Sequence, residues 1–484
     1  MIPFPQYGPD RAEVDQGFSD AITNVYPTPT GYRPFPTLGV YSDALGGICK
    51  GAILARNEDE TFTAFAATQT AIYELVGETW TDVSETAVTY TLANGEYWST
   101  TQFGSFVIFT NGNDGPQKYV LGTSTEFEAL GGSPPQAKYV GIAGDYLLLM
   151  NTIDDPRIVW RSGVNDPEWW VPKSRGSDFQ NFPDGGPVVG SIGDQQGAFI
   201  LQAERLRRLQ DAPGSTLLFT TTIVESARGC IAPQSIVQVG NSGFYLAEDG
   251  FYRLDLNGSV TIGAERVDRT FLTEDVDPAF LQEVQGAADI VNKSVFWLYT
   301  ASAGAMRIKG YQWQIDRWFD VATTATFLLQ VATAGYTLEQ IGALYATLED
   351  VPASLDARSW QGGRPTFGAF DGDDKLGFFN GDNAEAILET ADISSGGEGR
   401  VGNVGGFRPV GEVSGCYGQL GRKQTFGGER TWSAEAPQNT TGLIPCRGAA
   451  RLHRFRVRIP EAVEWNHIAG IEPEKETLRS AGRR

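Results

Sequence analysis

The sequence predicts an all-β fold, an irregular β-propeller, and three observations carry that prediction. The first is a hairpin that specifies its own pairing. Gly243 to Leu256 reads GFYLAEDGFYRLDL, and Asp249-Gly250 supplies a tight turn between two apolar runs, because such a turn needs a positive φ that glycine adopts at little cost. With Glu248 opposite Phe251, Ala247 faces Tyr252 and Tyr245 faces Leu254 on one surface, while Phe244, Leu246 and Phe251 fall on the other beside Arg253 and Asp255. Both surfaces are largely apolar, so the hairpin belongs between other sheets. The second observation is recurrence. Similar figures start at Phe103, Ala143, Gln195, Gly240 and Asn292, roughly 40 to 52 residues apart, the spacing of a repeat whose unit is a small antiparallel sheet. Third, the 58 Gly and 25 Pro together with 11 Trp, 17 Tyr and 27 Phe fit many short strands joined by tight turns. Four-stranded blades set radially bury two apolar faces per sheet and leave only short edges, which gives about six to seven blades here.

The rest of the chain follows in order. The N-terminus, MIPFPQYGPDRAEVDQG, has no basic segment followed by an apolar one, so it does not read as a secretory signal. Residues 1–45 form an extended arm. Its Pro-punctuated centre, NVYPTPTGYRPFPTLGVY from Asn24, lacks the donors of an interior strand. Two readings stand for the arm: a clamp onto a neighbouring subunit, with Tyr26, Pro27, Tyr32 and Phe35 as contacts, or a lead-in packed on its own propeller. Ile48 to Val83 reads as the first sheet, and residues 46–385 as the propeller. Within it, VNDPEWWVP places Trp169 beside Trp170. Neighbours in an extended strand point to opposite sides, so one fills a core gap and the other a contact surface, unless a bend buries both. Glu204 to Gln210, ERLRRLQ, is the densest basic cluster. Arg205, Arg207 and Arg208 are candidate subunit or anion contacts, against the commoner reading of a solvated strand face.

Helical signal is scarce. Val276 to Ile290 offers Asp277 as N-cap and Pro278 at the first helical position, with Phe280 and Val284 at helical spacing. The stretch from Thr326, TFLLQVATAGYTLEQIGALYATLEDV, reads as strands on its Thr content and Gly335. A hairpin across Gly372-Asp-Asp ends the repeat. The Gly/Ser stretch Ser394 to Gly406 marks a boundary or long loop, and residues 386–475 read as a smaller, sandwich-like platform domain. There RLHRFRVRIP puts Leu452, Phe455 or its neighbours on one face and cations on the other. Residues 476–484 are a polar, flexible tail.

Chemistry is sparse. Asp+Glu 59 against Lys+Arg 38 gives a net charge of −21, which repels phosphate and argues against a general nucleic-acid binder. Four scattered cysteines, Cys49, Cys230, Cys416 and Cys446, suit neither a disulfide framework nor a zinc site and read as buried thiols. The two histidines, His453 and His467, have no nucleophile-elbow motif to serve. No phosphate-binding glycine motif occurs. Asp371 to Asp374 holds oxygen ligands but lacks the rest of a calcium loop, and reads as a polar turn. Catalytic, cofactor-binding and metal-binding residues are therefore expected to be none, and no apolar run reaches the ~20 residues of a membrane helix.

The order of parts carries a resemblance. The arm TNVYPTPTGYRPFPTLGVY, the phrases AIYELVGETW, GSIGDQQGAFILQ, ARGCIAPQSIVQVGNSGFYLAEDGFYRLD and GYQWQIDRWF, and the terminal RLHRFRVRIP together resemble the tail-nozzle, or packaged-DNA stabilisation, proteins of short-tailed bacteriophages. The similarity runs from Ala21 to Glu474, is one of layout and short phrases, and departs from the family at Ser394 to Gly406. It implies a non-enzymatic virion protein of the tail, made in the host cytoplasm, forming a homo-oligomeric ring of about sixfold symmetry. The implied partners are the portal-adaptor protein, a tail needle or tip and tailspike or fibre proteins, with double-stranded DNA passing through the lumen without sequence-specific binding. An acidic wall agrees with this, since few phosphates are neutralised on contact. The alternative is a propeller that binds or degrades a polysaccharide, with an acidic or aromatic pocket on its axis. No S-x-D-x-G-x-T-W box supports it.

Overall fold

The computed structural model describes residues 1–13, 15–59, 61–211, 219–332, 365–394, 401–474 and 479–481. It contains seven four-stranded antiparallel units arranged as the blades of a propeller. Blades one to three are Gly51–Arg56 to Thr79–Asp82, Ser99–Phe103 to Glu128–Ala129, and Ala137–Ala143 to Asp178–Asn181. Blades four to six are Val188–Asp194 to Phe219–Glu225, Val237–Val239 to Gly258–Thr261, and Gln285–Asp289 to Arg317–Ala322. Blade seven combines Phe327–Ala332, Pro365–Phe370 and Lys375–Asn383 with Pro36–Ala44 from the N-terminus. The last blade thus takes its outer strand from the start of the chain, which closes the ring and leaves no open seam. The arm consequently ends at Phe35, ten residues before the boundary at 45 expected from the proline pattern. Pro36 sits at the first position of this outer strand, where a missing donor costs nothing.

The blade-five hairpin keeps its expected faces but shifts its pairing. Leu246 lies opposite Phe251 and Tyr245 opposite Tyr252, so Glu248-Asp249 is the turn and Gly250 already belongs to the second strand. Gly250 has φ 139°, and a Cβ there would lie 2.2 Å from the Asp268 carboxylate. The glycine therefore supplies the expected positive φ beside the turn and also admits a close tertiary contact. The shift moves the pairing by two residues, so no side chain changes face. Tyr245, Ala247, Tyr252 and Leu254 pack with blade-four residues Ile192, Phe199 and Leu201, whereas Phe244, Leu246 and Phe251 pack towards Trp297 of blade six.

Other expectations met a different outcome. The helix from Val276 is one 3₁₀ segment, Pro278–Glu283, with the Asp277 side chain accepting from Ala279 N. Beyond it Gln285–Asp289 is the innermost strand of blade six, since Gly286 lets the backbone approach Val237 to a distance at which a Cβ would clash at 2.3 Å. Phe327–Ala332 is a strand as expected; Thr333 to Val351 lie outside the described residues. The hairpin after Pro365 is present, with Phe370 opposite Leu376. Of the polar tail, Arg479–Ala481 pairs with Val401–Asn403.

The C-terminal strands form a sandwich that shares its core with the propeller. Blade six continues from Arg317–Ala322 through the arm strand Ile22–Thr23 to Ala386–Glu389, Leu452–Ile459 and Tyr417–Lys423. Facing it is a sheet of Ile2–Pro3, His467–Pro473, Gly31–Pro34, Val25–Thr28 and Phe407–Glu412. In Leu452–Ile459 the alternation places Phe455, Val457 and Ile459 in the core, and Leu452 falls with Arg454, Arg456 and Arg458, not with Phe455 as the sequence pattern suggested. One apolar cluster then runs from Phe4 and Tyr7 of the arm through Phe251, Trp297 and Trp318 to Phe455, Val457 and Ile471. Arm, propeller and sandwich are one packed body.

Candidate functional site

The propeller axis is the first place to look for a site. A channel of about 490 Å³, within the size range of small-molecule pockets, is lined by residues 52–54, 99–100, 139–140, 189–191, 236–238, 286–288 and 327–329, one group from each innermost strand. Among the described residues that line it there is no acid, base or histidine. Three of its polar side chains, Ser99, Thr100 and Gln238, are engaged between blades. Thr100 Oγ1 donates to Ala52 O, Ser99 Oγ accepts from Val140 N, and Gln238 bonds both Gly193 N and Gly193 O.

These bonds are part of a circuit that continues away from the axis. Asn151 Nδ2 donates to Val188 O between blades three and four. Trp297 Nε1 of blade six donates to Ser235 O, just ahead of blade five, and Gln285 Oε1 accepts from Leu328 N between blades six and seven. Trp80 Nε1 donates to Ser42 Oγ, while Leu376 N also donates to that hydroxyl, so blades one and seven meet on one side chain. Every neighbouring pair of blades is cross-bonded by a side chain. Sliding or opening of one blade would strand the buried partners among these, such as Trp297 Nε1 and Leu328 N, at about 1–3 kcal/mol each.

Charged groups are concentrated where the arm meets the folded body. Lys309, fully buried, donates to Asp320 Oδ1 at 3.0 Å, Asp275 Oδ2 at 2.7 Å and the Tyr7 hydroxyl at 2.9 Å. Burial by itself would lower the ammonium pKa, but Asp320, Tyr7, Tyr299 and Asp275 outweigh it and hold it well above the ordinary value. A second network joins Glu13 and Asp20 of the arm to Lys423, Arg430 and Arg454, with Glu389 and Asp392 completing it. Burial pushes the Glu389 carboxyl up, and Arg456 and Arg454 oppose that. Both networks fasten the arm.

The residues singled out from the sequence sit as follows. Tyr26, Tyr32 and Phe35 are 2 %, 0 % and 1 % exposed and Pro27 is buried. Their surroundings are intramolecular. Tyr26 packs on Phe35 and Phe319 with ring centroids 4.7 and 5.4 Å away, and Tyr32 donates its hydroxyl hydrogen to Pro5 O. Of the two arm readings, the packed lead-in describes the arm in this chain, and these four side chains offer no free surface. Trp170 is core, packed with Ile108, Leu147 and Leu149. Trp169 is half-buried with the Arg175 guanidinium 4.1 Å above its ring. Arg205 and Arg207 both pair with Asp184, and Arg208 pairs with Asp194 at 2.7 Å. Arg207 and Arg208 are buried, which corrects the solvated-face reading for those two. In the Asp371 turn, Asp371 Oδ1 accepts from Asp373 N and Lys375 N, so the carboxylate closes its own loop. All four cysteines are buried free thiols. No group of three or more His, Cys, Asp or Glu positioned for a metal ion occurs among the described residues, and no described helix is long and apolar enough to cross a membrane.

Sequence reasoning missed Lys309, which sits in an ordinary-looking strand, MRIKGYQ; its partners Asp275 and Tyr7 are separated from it by 34 and 302 positions. It also missed Asp268, which two glycines, Gly250 and Gly263, enclose at a bend between blades five and six.

The fold and its axis define a closed seven-bladed β-propeller fused to a β-sandwich. The chain matches no protein-family profile and no curated protein sequence. Among solved structures it is similar to the computationally designed Ika8 protein, with a TM-score of 0.37 and 10% identity over 70% of this chain and 99% of that one. It is also similar to BamB from Moraxella catarrhalis, with a TM-score of 0.32 and 9% identity over 71% and 95%. A third is an exo-β-1,3-galactanase from Phanerochaete chrysosporium in complex with β-1,3-galactotriose, with a TM-score of 0.30 and 9% identity over 90% and 100%. At these scores the likenesses bear on neither site nor function.

Proposed function

We propose that this chain is a mechanical component of a virion tail, a wall unit that assembles with further copies into a nozzle ring through which DNA leaves. The observation that carries the reading is the circuit of side-chain bonds around all seven blades, continued by the arm strand Ile22–Thr23 into the sandwich sheet. A body so cross-bonded resists shear between its parts, which is what a conduit under load requires. Its net charge of −21 lets a polyanion slide past with little adhesion. The described residues lining the axial channel include no acid–base pair of the kind hydrolysis uses.

The test is the solution mass by light scattering, alone and after mixing with a portal-adaptor complex. The expected result is a closed ring of copies of the 52.5 kDa chain in at least one condition. A monomer in both would overturn the ring and favour the polysaccharide reading, which a glycan-binding screen would then take up.

A further inference from the structure

A buried carboxyl sits beneath the arm at blade five. Asp268 is 6 % exposed, and its carboxylate lies between Gly250 and Gly263, where added Cβ atoms would approach it to 2.2 and 1.9 Å. Among the described residues its one hydrogen-bond donor is Phe251 N, at 3.1 Å to Oδ1. On the arm, Asp10 is equally enclosed, its side chain 4 % exposed. Its two oxygens accept from Arg269 N at 2.9 Å and Thr270 N at 2.8 Å, the residues directly after Asp268, and Asp10 N donates to Arg266 O. Both carboxyls line one cavity of about 750 Å³ on the surface, which gives protons access.

The charges around this pair do not neutralise it. From the arm, Arg11 is committed to Glu265 at 3.1 Å. From blade five, Asp249 adds a further negative charge and takes up Tyr252 and Arg228. From the connecting segment, Arg266 is held by Asp316 of blade six in a double hydrogen bond. Arg269 reaches Asp10 only at 3.8 Å with a side chain 68 % exposed. Burial without a paired cation, beside Asp10 and Asp249, disfavours the ionised form of Asp268.

We propose that Asp10 and Asp268 form a proton-operated latch that fastens the N-terminal arm to blade five while Asp268 is protonated and loosens it once Asp268 ionises. Two backbone N–H groups hold the Asp10 carboxyl in place on the segment after Asp268, and Asp268, enclosed and bonded by Phe251 N, is the member that binds the proton. Burial, against the single Phe251 bond and reinforced by Asp10 and Asp249, pushes the Asp268 carboxyl up to about 7. The sign follows from linkage. The docked state binds the proton more tightly than the open state, so rising pH favours opening. Between about pH 6 and about pH 8.5 the opening constant of the latch rises about tenfold if the open-state value is that of an ordinary aspartate.

Hydrogen exchange by mass spectrometry on the full chain reads this directly, corrected for the intrinsic pH dependence of exchange. The peptides to follow are those spanning Asp10 and Arg269-Thr270, with Ser99–Phe103 in blade two as reference. The expected result is about a tenfold loss of protection at the latch peptides over that pH range, none at the reference, and a flat profile in Asp268→Asn. A flat wild-type profile overturns the latch whether or not the variant folds. So does an equal loss at the reference, which would mark a global effect, or an unchanged slope in a folded Asp268→Asn protein.

Discussion

Removing the arm up to Phe35 should prevent folding, not merely assembly. The arm buries Phe4, Tyr7, Ile22, Val25, Tyr26, Tyr32 and Phe35, each no more than 6 % exposed. At about 1.5–3 kcal/mol per fully buried large apolar side chain, these seven contribute roughly 10–20 kcal/mol, an upper bound because the unfolded chain already buries some of that surface. A domain's net stability is only about 5–15 kcal/mol. The deletion also uncovers Phe296 and Phe319, which Tyr26 covers from 6.3 and 5.4 Å, and cuts the strand linking blade six to the sandwich. The expected outcome is an insoluble or molten chain. Because insolubility alone is a blunt readout, Tyr26→Ala provides a graded one: a loss of about 3–5 kcal/mol in urea unfolding followed by tryptophan fluorescence. A truncated chain that is soluble and unfolds cooperatively at the wild-type urea midpoint would refute this account, and would return the arm to the clamp reading.

Two further outcomes are expected. Lys309→Met leaves Asp320 buried with Arg307 as its remaining partner and should cost about 3–5 kcal/mol, whereas Tyr7→Phe removes one hydrogen bond and should cost about 1 kcal/mol; urea unfolding of both variants compares them, and equal losses would contradict the arrangement. Gly193→Ala would set a Cβ 1.9 Å from Ile142 O, between the innermost strands of blades three and four, and should lower the thermal midpoint sharply, while an alanine at Gly77, which has open space but φ 67°, should cost roughly 1 kcal/mol through backbone strain alone.

How far the sequence could be read depends on the range of the interaction concerned. Strand alternation and turn chemistry act over a few residues, so the propeller class, the hairpins at Phe103 and Ala143 and the two-sided burial of Gly243 to Leu256 were all legible, whereas the pattern left two placements open for Trp169 and Trp170. Pairing within the blade-five hairpin was not legible, because Gly250 pairs with Ala247 as the first residue of the second strand, where it also meets Asp268. Proline spacing marked the arm as irregular, yet could not say where it lay. Its strands are two to four residues long and carry little local preference, so their position was decided by complementary surface far away in the chain: Ile22–Thr23 between blade six and Ala386–Glu389, Tyr7 over Lys309, and Asp10 on Arg269 and Thr270.

The sequence by itself determined the all-β class, the repeat and the acidic surface, since each is set by composition and short-range pattern. Only the tertiary structure decided that there are seven blades, that the seventh is closed by Pro36–Ala44, and that the arm is an internal strap. Ring closure and ion pairing between residues some hundreds of positions apart are fixed by the summed packing of the whole body, and no local window contains that information.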